Sequence, residues 1–187
     1  MTQDVLYTTF WSQMTRVPPP EVGWLNEEQA RMQFEQGDLQ VVDAAHRDAD
    51  SLPWPRWVIG IGTSGRVRVR FFDEHTTLWR LVDWDNIDGR LWRWITYDYT
   101  YSSTGKQWSE KDSILTEKAS VQTDGTGYVV TVDKSTKPGR RLKTDFADRA
   151  SGAYWLDYPK FGDWVGLSSP GPSAYEIAGR SAPAPTQ

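Results

Sequence analysis

Trp57-Val58-Ile59-Gly60-Ile61-Gly62-Thr63-Ser64-Gly65-Arg66-Val67-Arg68-Val69-Arg70-Phe71 decides the fold. Before the Thr63-Ser64-Gly65 turn Trp57, Ile59 and Ile61 alternate with Val58 and Gly60. After it Val67, Val69 and Phe71 alternate with Arg66, Arg68 and Arg70. Successive side chains of an extended chain point to opposite faces, so two such runs joined by a glycine-containing turn predict a β-hairpin. The same period runs through residues 78–83, Asp85-Asn86-Ile87-Asp88-Gly89 has turn composition, and residues 91–101 read as a long strand. Further strands are expected at residues 114–122, 128–132 and 141–146, separated by Asp124-Gly125 and Lys137-Pro138-Gly139. Short turns between consecutive strands predict an antiparallel β-meander, as a curved sheet or a partial barrel.

Upstream of the hairpin the period changes. Tyr7, Phe10, Trp11 and Met14 fall at i, i+3, i+4 and i+7, which predicts a short helix ended by Pro18-Pro19-Pro20. A second helix is expected at about residues 27–36. There Asn26 caps, Gln29 completes a capping box, Leu25 and Ala30 form a staple, and Gly37 stops the helix. The expected class is therefore α+β, with short N-terminal helices (about residues 1–37) followed by the antiparallel meander. Tyr154, Trp155, Tyr158, Phe161 and Trp164 fit neither period and read as an aromatic loop over the sheet. From Ser168, Ser, Pro, Gly and Ala dominate, which predicts a flexible tail over 168–187 behind one domain at 1–167.

Composition narrows the chemistry. A chain of 187 residues suits one domain, and the absence of Cys removes disulfides, thiolate metal sites and cysteine nucleophiles. No basic and apolar leader opens the chain and no apolar run approaches a membrane span, so a cytoplasmic protein without membrane contact is expected. A formal charge of −4 argues against nucleic acid as partner. The 11 Trp are the unusual feature, and indoles serve cores, cavities and interfaces alike.

His46 and His75 both lie in polar connections, without a nucleophile context or metal-ligand spacing. Asp83-Trp84-Asp85-Asn86-Ile87-Asp88-Gly89 resembles a calcium loop only superficially, because Ile87 occupies a ligand position and no acidic residue closes the loop. A hairpin turn is the simpler account, with Trp84 folded inward. No metal and no cofactor are expected. Arg66, Arg68 and Arg70 share one face and repel unless acidic cross-strand neighbours such as Asp73 or Asp83, or a ligand's anionic groups, stand opposite; this is the alternative anion-binding face. Asp98 alternates away from Tyr97, Tyr99 and Tyr101, which separates the parts of one acid/base constellation.

Leu91-Trp92-Arg93-Trp94-Ile95-Thr96-Tyr97-Asp98-Tyr99-Thr100-Tyr101, the hairpin before it and Phe161-Gly162-Asp163-Trp164 resemble actinobacterial toxin-immunity proteins, a group that includes the immunity factor of the tuberculosis necrotizing toxin. The resemblance is one of texture over residues 54–164 and transfers no residue role. It implies a cytoplasmic antitoxin that plugs the cleft of a toxin enzyme, an NAD-degrading one in that example. From the residues themselves, an aromatic and acidic surface predicts one protein partner, as a monomer alone or a 1:1 complex. The expected contacts are Asp83, Trp84, Asp85 and Asp88 at a turn tip, with Trp155 and Asp163 in the irregular segment. The other readings are a lipocalin-like small-molecule binder and a cofactor-free cyclase or isomerase with an aromatic cavity.

Overall fold

A computed structural model describes residues 4–147 and 151–179. The alternation around Thr63-Ser64-Gly65 forms the expected hairpin: β3 (Trp57–Ile61) pairs with β4 (Val67–Phe72), with Trp57 opposite Phe71, Ile59 opposite Val69 and Ile61 opposite Val67. The hairpin belongs to a single antiparallel sheet. β1 (Val5–Thr8), β2 (Leu39–Asp43), β3, β4, β5 (Leu78–Ile87), β6 (Arg90–Thr100), β7 (Leu115–Val121), β8 (Gly127–Asp133) and β9 (Arg140–Phe146) lie side by side in chain order. β10 (Trp155–Asp157) returns to pair with the first residues of β6, so β6 holds β10 at one end and β7 at the other. Among the described residues β1 and β9 do not pair, and the meander stays an open sheet.

The expected α+β class is corrected: the chain is nearly all-β, and among the described residues the helices are α1 (Glu27–Gln36) and α2 (Ala174–Ile177) besides short 3-10 turns. Where the first helix was expected, the chain is strand only through Thr8 and runs in bends and turns over residues 9–17. Tyr7 stands opposite Val41 and also bridges to Leu25, while Phe10 and Met14 of the supposed apolar stripe are exposed. An apolar coincidence over eight residues is too short to fix a period, and β-branched Val5, Thr8 and Thr9 favour the extended chain that β2 then hydrogen-bonds. The second helix forms where its caps predict. Asn26 Oδ1 accepts from the Gln29 N–H at 2.9 Å, Gln29 Oε1 accepts from the Asn26 N–H at 3.0 Å, and Gly37 ends the helix at φ 72°. Gly37 is also required sterically, since a Cβ there would lie 2.6 Å from the carbonyl oxygen of Gly62.

One face of the sheet is the main core. Leu39, Val41, Ile59, Val67, Val69, Val82 and Trp84 are buried on it beneath α1 and the aromatic segment, whose Trp164 and Leu167 are themselves buried. Residues 168–179, expected to begin a flexible tail, are docked: Ala174 and Ile177 are buried against Ala119, Val121 and Val129. Their composition hid this because part of the docking is by the Pro170, Gly171 and Pro172 backbone carbonyls, which any sequence carries. The rest of the expected tail, 180–187, lies outside the described residues.

Candidate functional site

The opposite face is divided: Val42, Val58, Phe72 and Leu78 are buried on it together with Trp11, while around Gly60, Arg66 and Arg68 it is open. Across four strands Gln40 stands opposite Gly60, Gly60 opposite Arg68, and Arg68 opposite Asp83. Arg68 donates from Nε and Nη2 to both oxygens of Asp83, at 2.7 and 3.0 Å, and Arg66 Nε donates to Asp85 at 2.9 Å. A bidentate guanidinium–carboxylate pair is the stronger kind, but both arginine side chains remain about 60% exposed, so the pairs contribute little to stability and keep their outer donors available. Asp83 is thus the acidic neighbour expected for the arginine strand. Asp73 is not: its Oδ1 accepts from the His75 and Thr77 N–H groups and shapes their turn.

Arg70 is placed differently. Its Nη2 donates to the neutral Gln40 Oε1 at 3.1 Å, its guanidinium lies 5.7 Å from the Trp11 ring, and no carboxylate among the described residues forms an ion pair with it. Farther along the face, Tyr97 and Tyr99 stack with centroids 6.1 Å apart, and Lys118 Nζ lies 5.5 Å over Tyr97. Burial and the nearby Glu110 carboxylate push the Tyr99 phenol above its ordinary range. A cleft of about 380 Å³ beside Arg66 and Arg68 is lined by Gln40, Gly60, Gly62, Asp83 and Trp94 among others; Arg70 does not line it and is joined to it through Gln40.

The expected acidic contacts separate into groups. Asp83 and Trp84 lie within β5, at a β-bulge, and Trp84 is 4% exposed in the core, so the indole does fold inward. The hairpin tip is Asp88-Gly89, both at positive φ as a two-residue turn of the I′ kind requires. Asp85 pairs Arg66 on the open face. Asp88, Trp155 and Asp163 gather toward one end of the sheet: Arg90, next to the tip, stands opposite Asp157, Trp155 lies 5.0 Å below the Arg90 guanidinium, and Asp157 and Asp163 line a common cleft. Replacing Trp84 with Ala is expected to cost about 3–5 kcal/mol by cavity formation, measurable by chemical denaturation. Any loss of binding in that variant is then a loss of fold.

Sequence reading missed the most buried polar cluster. Arg80 Nε donates to Asp98 at 2.5 Å and its Nη1 to the Gly171 carbonyl at 2.8 Å. Arg93 donates to Thr96 Oγ1 at 2.9 Å and to the Pro170 and Pro172 carbonyls at 2.9 and 2.8 Å. Asp98 in turn accepts from the Ala174 N–H at 2.7 Å. Burial, with Arg80 alongside, lowers the Arg93 guanidinium to about 10. Arg80, Thr96 and Asp98 occupy core-facing positions of otherwise apolar strands, and that violation of alternation was the available signal.

The remaining titratable groups stay dispersed. His46 is exposed, His75 sits 3.7 Å from Glu74 in the turn, and Asp98 faces the arginine cluster rather than the tyrosines. No group of three potential metal ligands occurs among the described residues. Among the described residues no helix is long and apolar enough to cross a membrane. Comparison with protein-family models, curated proteins and solved structures returned no match.

Proposed function

We propose that this chain acts by binding one partner protein through the open face of its sheet, as an immunity protein binds the enzyme it neutralises. The carrying observation is that, beside the part of this face buried with Trp11, Val42, Val58 and Phe72, Arg66, Arg68 and Trp94 stay partly exposed around a shallow cleft, with Tyr97 and Tyr99 partly exposed elsewhere on the face. Tyr, Trp and Arg are the side chains that anchor interfaces, because each combines apolar area with directional donors. A cytoplasmic antitoxin that occludes the cleft of a toxin enzyme, such as an NAD-degrading one, is the form of this function that the resemblance implies. Asp88, Trp155 and Asp163 supply a second contact region at the sheet's end.

The small-molecule reading has less support, since Trp92 is 2% exposed and donates to the Val121 carbonyl, so it fills core space instead of lining a cavity. A pull-down from the native host, followed by an activity assay on what is recovered, tests the proposal. The expected result is an enzyme inhibited at equimolar chain. Recovery of no such enzyme, together with a saturable apolar ligand that raises the melting temperature, would replace the proposal with the small-molecule reading.

A further inference from the structure

β4 carries three guanidinium groups on the open face, and the strand opposite supplies carboxylates to two of them, Asp85 to Arg66 and Asp83 to Arg68. Arg70 is left with Gln40 Oε1, an acceptor already shared with the Trp11 backbone N–H at 3.1 Å. Its neighbours across the sheet are Val58 and Leu81, both buried and apolar. A half-buried cation facing a neutral amide and an indole has lost water without gaining a counter-charge, which is unfavourable until an anion arrives. Arg68 adds to its field and Glu110 partly opposes it. One step along the face from Arg70, where Gly60 stands opposite Arg68, the sheet is bare. A Cβ on Gly60 would meet nothing nearer than 3.8 Å, and one on Gly62 nothing nearer than 3.5 Å. Gly60 lies within β3 and Gly62 just after it, and the open space above them is suited to another chain lying close against the backbone.

We infer that Arg70 and the Gly60–Gly62 slot together receive an acidic segment of the partner protein, its carboxylate on the Arg70 guanidinium and an adjoining aromatic ring flat on the glycines. The inference rests on the open face being the binding surface. Charge selects the occupant. Gln40, which holds Arg70, lines the cleft together with Asp38, and the Asp38 carboxylate repels a multiply charged phosphate more than it repels a single carboxylate seeking the Arg70 cation. Trp94 and Thr9 flank the slot, with Arg66 lying 6.0 Å over the Trp94 ring. A planar side chain entering between them is therefore met by apolar and cationic surface together.

The test uses the full chain and two variants, Gln40→Glu and Arg70→Met. Gln40→Glu is nearly isosteric and supplies the missing carboxylate from within. The probe is the blocked peptide Thr-Tyr-Glu-Tyr-Thr, followed by amide chemical-shift mapping, with its Gln counterpart, inorganic phosphate and AMP as controls. The peptide is expected to shift the Gly60, Gly62 and Arg70 amides saturably. Its affinity should fall at least tenfold for the Gln counterpart and for each variant, while Gln40→Glu melts higher than the natural chain. A purely structural Arg70 would also let Gln40→Glu melt higher, but would leave peptide binding unchanged in both variants, and that result overturns the inference. So does absence of peptide shifts at these amides, or binding of phosphate or AMP in place of the peptide. A toxin enzyme that is recovered by the chain and bound equally by both variants would overturn this inference and leave the proposed function standing. Peptide binding without any recovered enzyme would do the reverse.

Discussion

A chain ended after Leu167 is expected to lose about 3–5 kcal/mol of stability, the range for breaking a buried charged network by removing one side of it. Removal of 168–187 strips the Pro170, Gly171 and Pro172 carbonyls from two buried guanidinium groups and the Ala174 N–H from Asp98. It also uncovers the apolar ground beneath Ala174 and Ile177. For a domain of this size the loss corresponds to a fall of roughly 6–20 °C in melting temperature, read by circular dichroism. A single substitution in the intact chain, Gly171→Ala, should reproduce much of it. Gly171 lies at φ 58°, and a Cβ would stand 2.1 Å from Arg93 Nη1, so backbone and guanidinium cannot both keep their places. A truncated chain melting within 2 °C of the full one would show that the docked segment contributes nothing, whatever its geometry.

The contrast between this segment and the hairpins shows where sequence reading reaches. Strands were legible because alternation is a local property, repeated in each of Trp57–Ile61 and Val67–Phe72 and punctuated by glycine turns. The helix after Asn26 was legible because its caps are side chains at fixed spacing. What could not be read was pairing at a distance. Arg80 breaks the apolar alternation of its strand, but nothing local says that Pro170 to Pro172 will be brought over it and Arg93, a separation of nearly 80 residues or more. Register was equally hidden: a bulge between Asp83 and Trp84 draws both into the sheet, so the acidic turn shortens to Asp88-Gly89. The open arginine face was visible as a pattern. The fact that only Arg70 lacks a carboxylate there depends on which strand lies opposite, and on Gln40 two strands away on the other side.

The aromatic segment makes the second strong expectation, because its irregular spacing conceals a core residue beside a surface one. Trp164 has no exposed surface, and meets Phe34 of α1 and Phe161 edge-on with centroids 5.8 and 5.9 Å away. It is the buried link by which the segment after β10 holds α1 against β2, β3 and β4. Trp164→Ala is expected to cost about 3–5 kcal/mol, from transfer of the indole plus the cavity its neighbours cannot close. In the same measurement Asp163→Ala, one residue earlier and exposed, should stay within about 0.5 kcal/mol of the natural chain. That difference is useful: Asp163 is free to be replaced in a binding assay, while Trp164 is not. A double-mutant cycle with Phe34→Ala then isolates the ring contact, expected at about 0.5–1.5 kcal/mol. A Trp164→Ala chain as stable as its parent would mean that the segment lies on the sheet without supporting it, and that α1 is held by its β1 and β2 contacts alone.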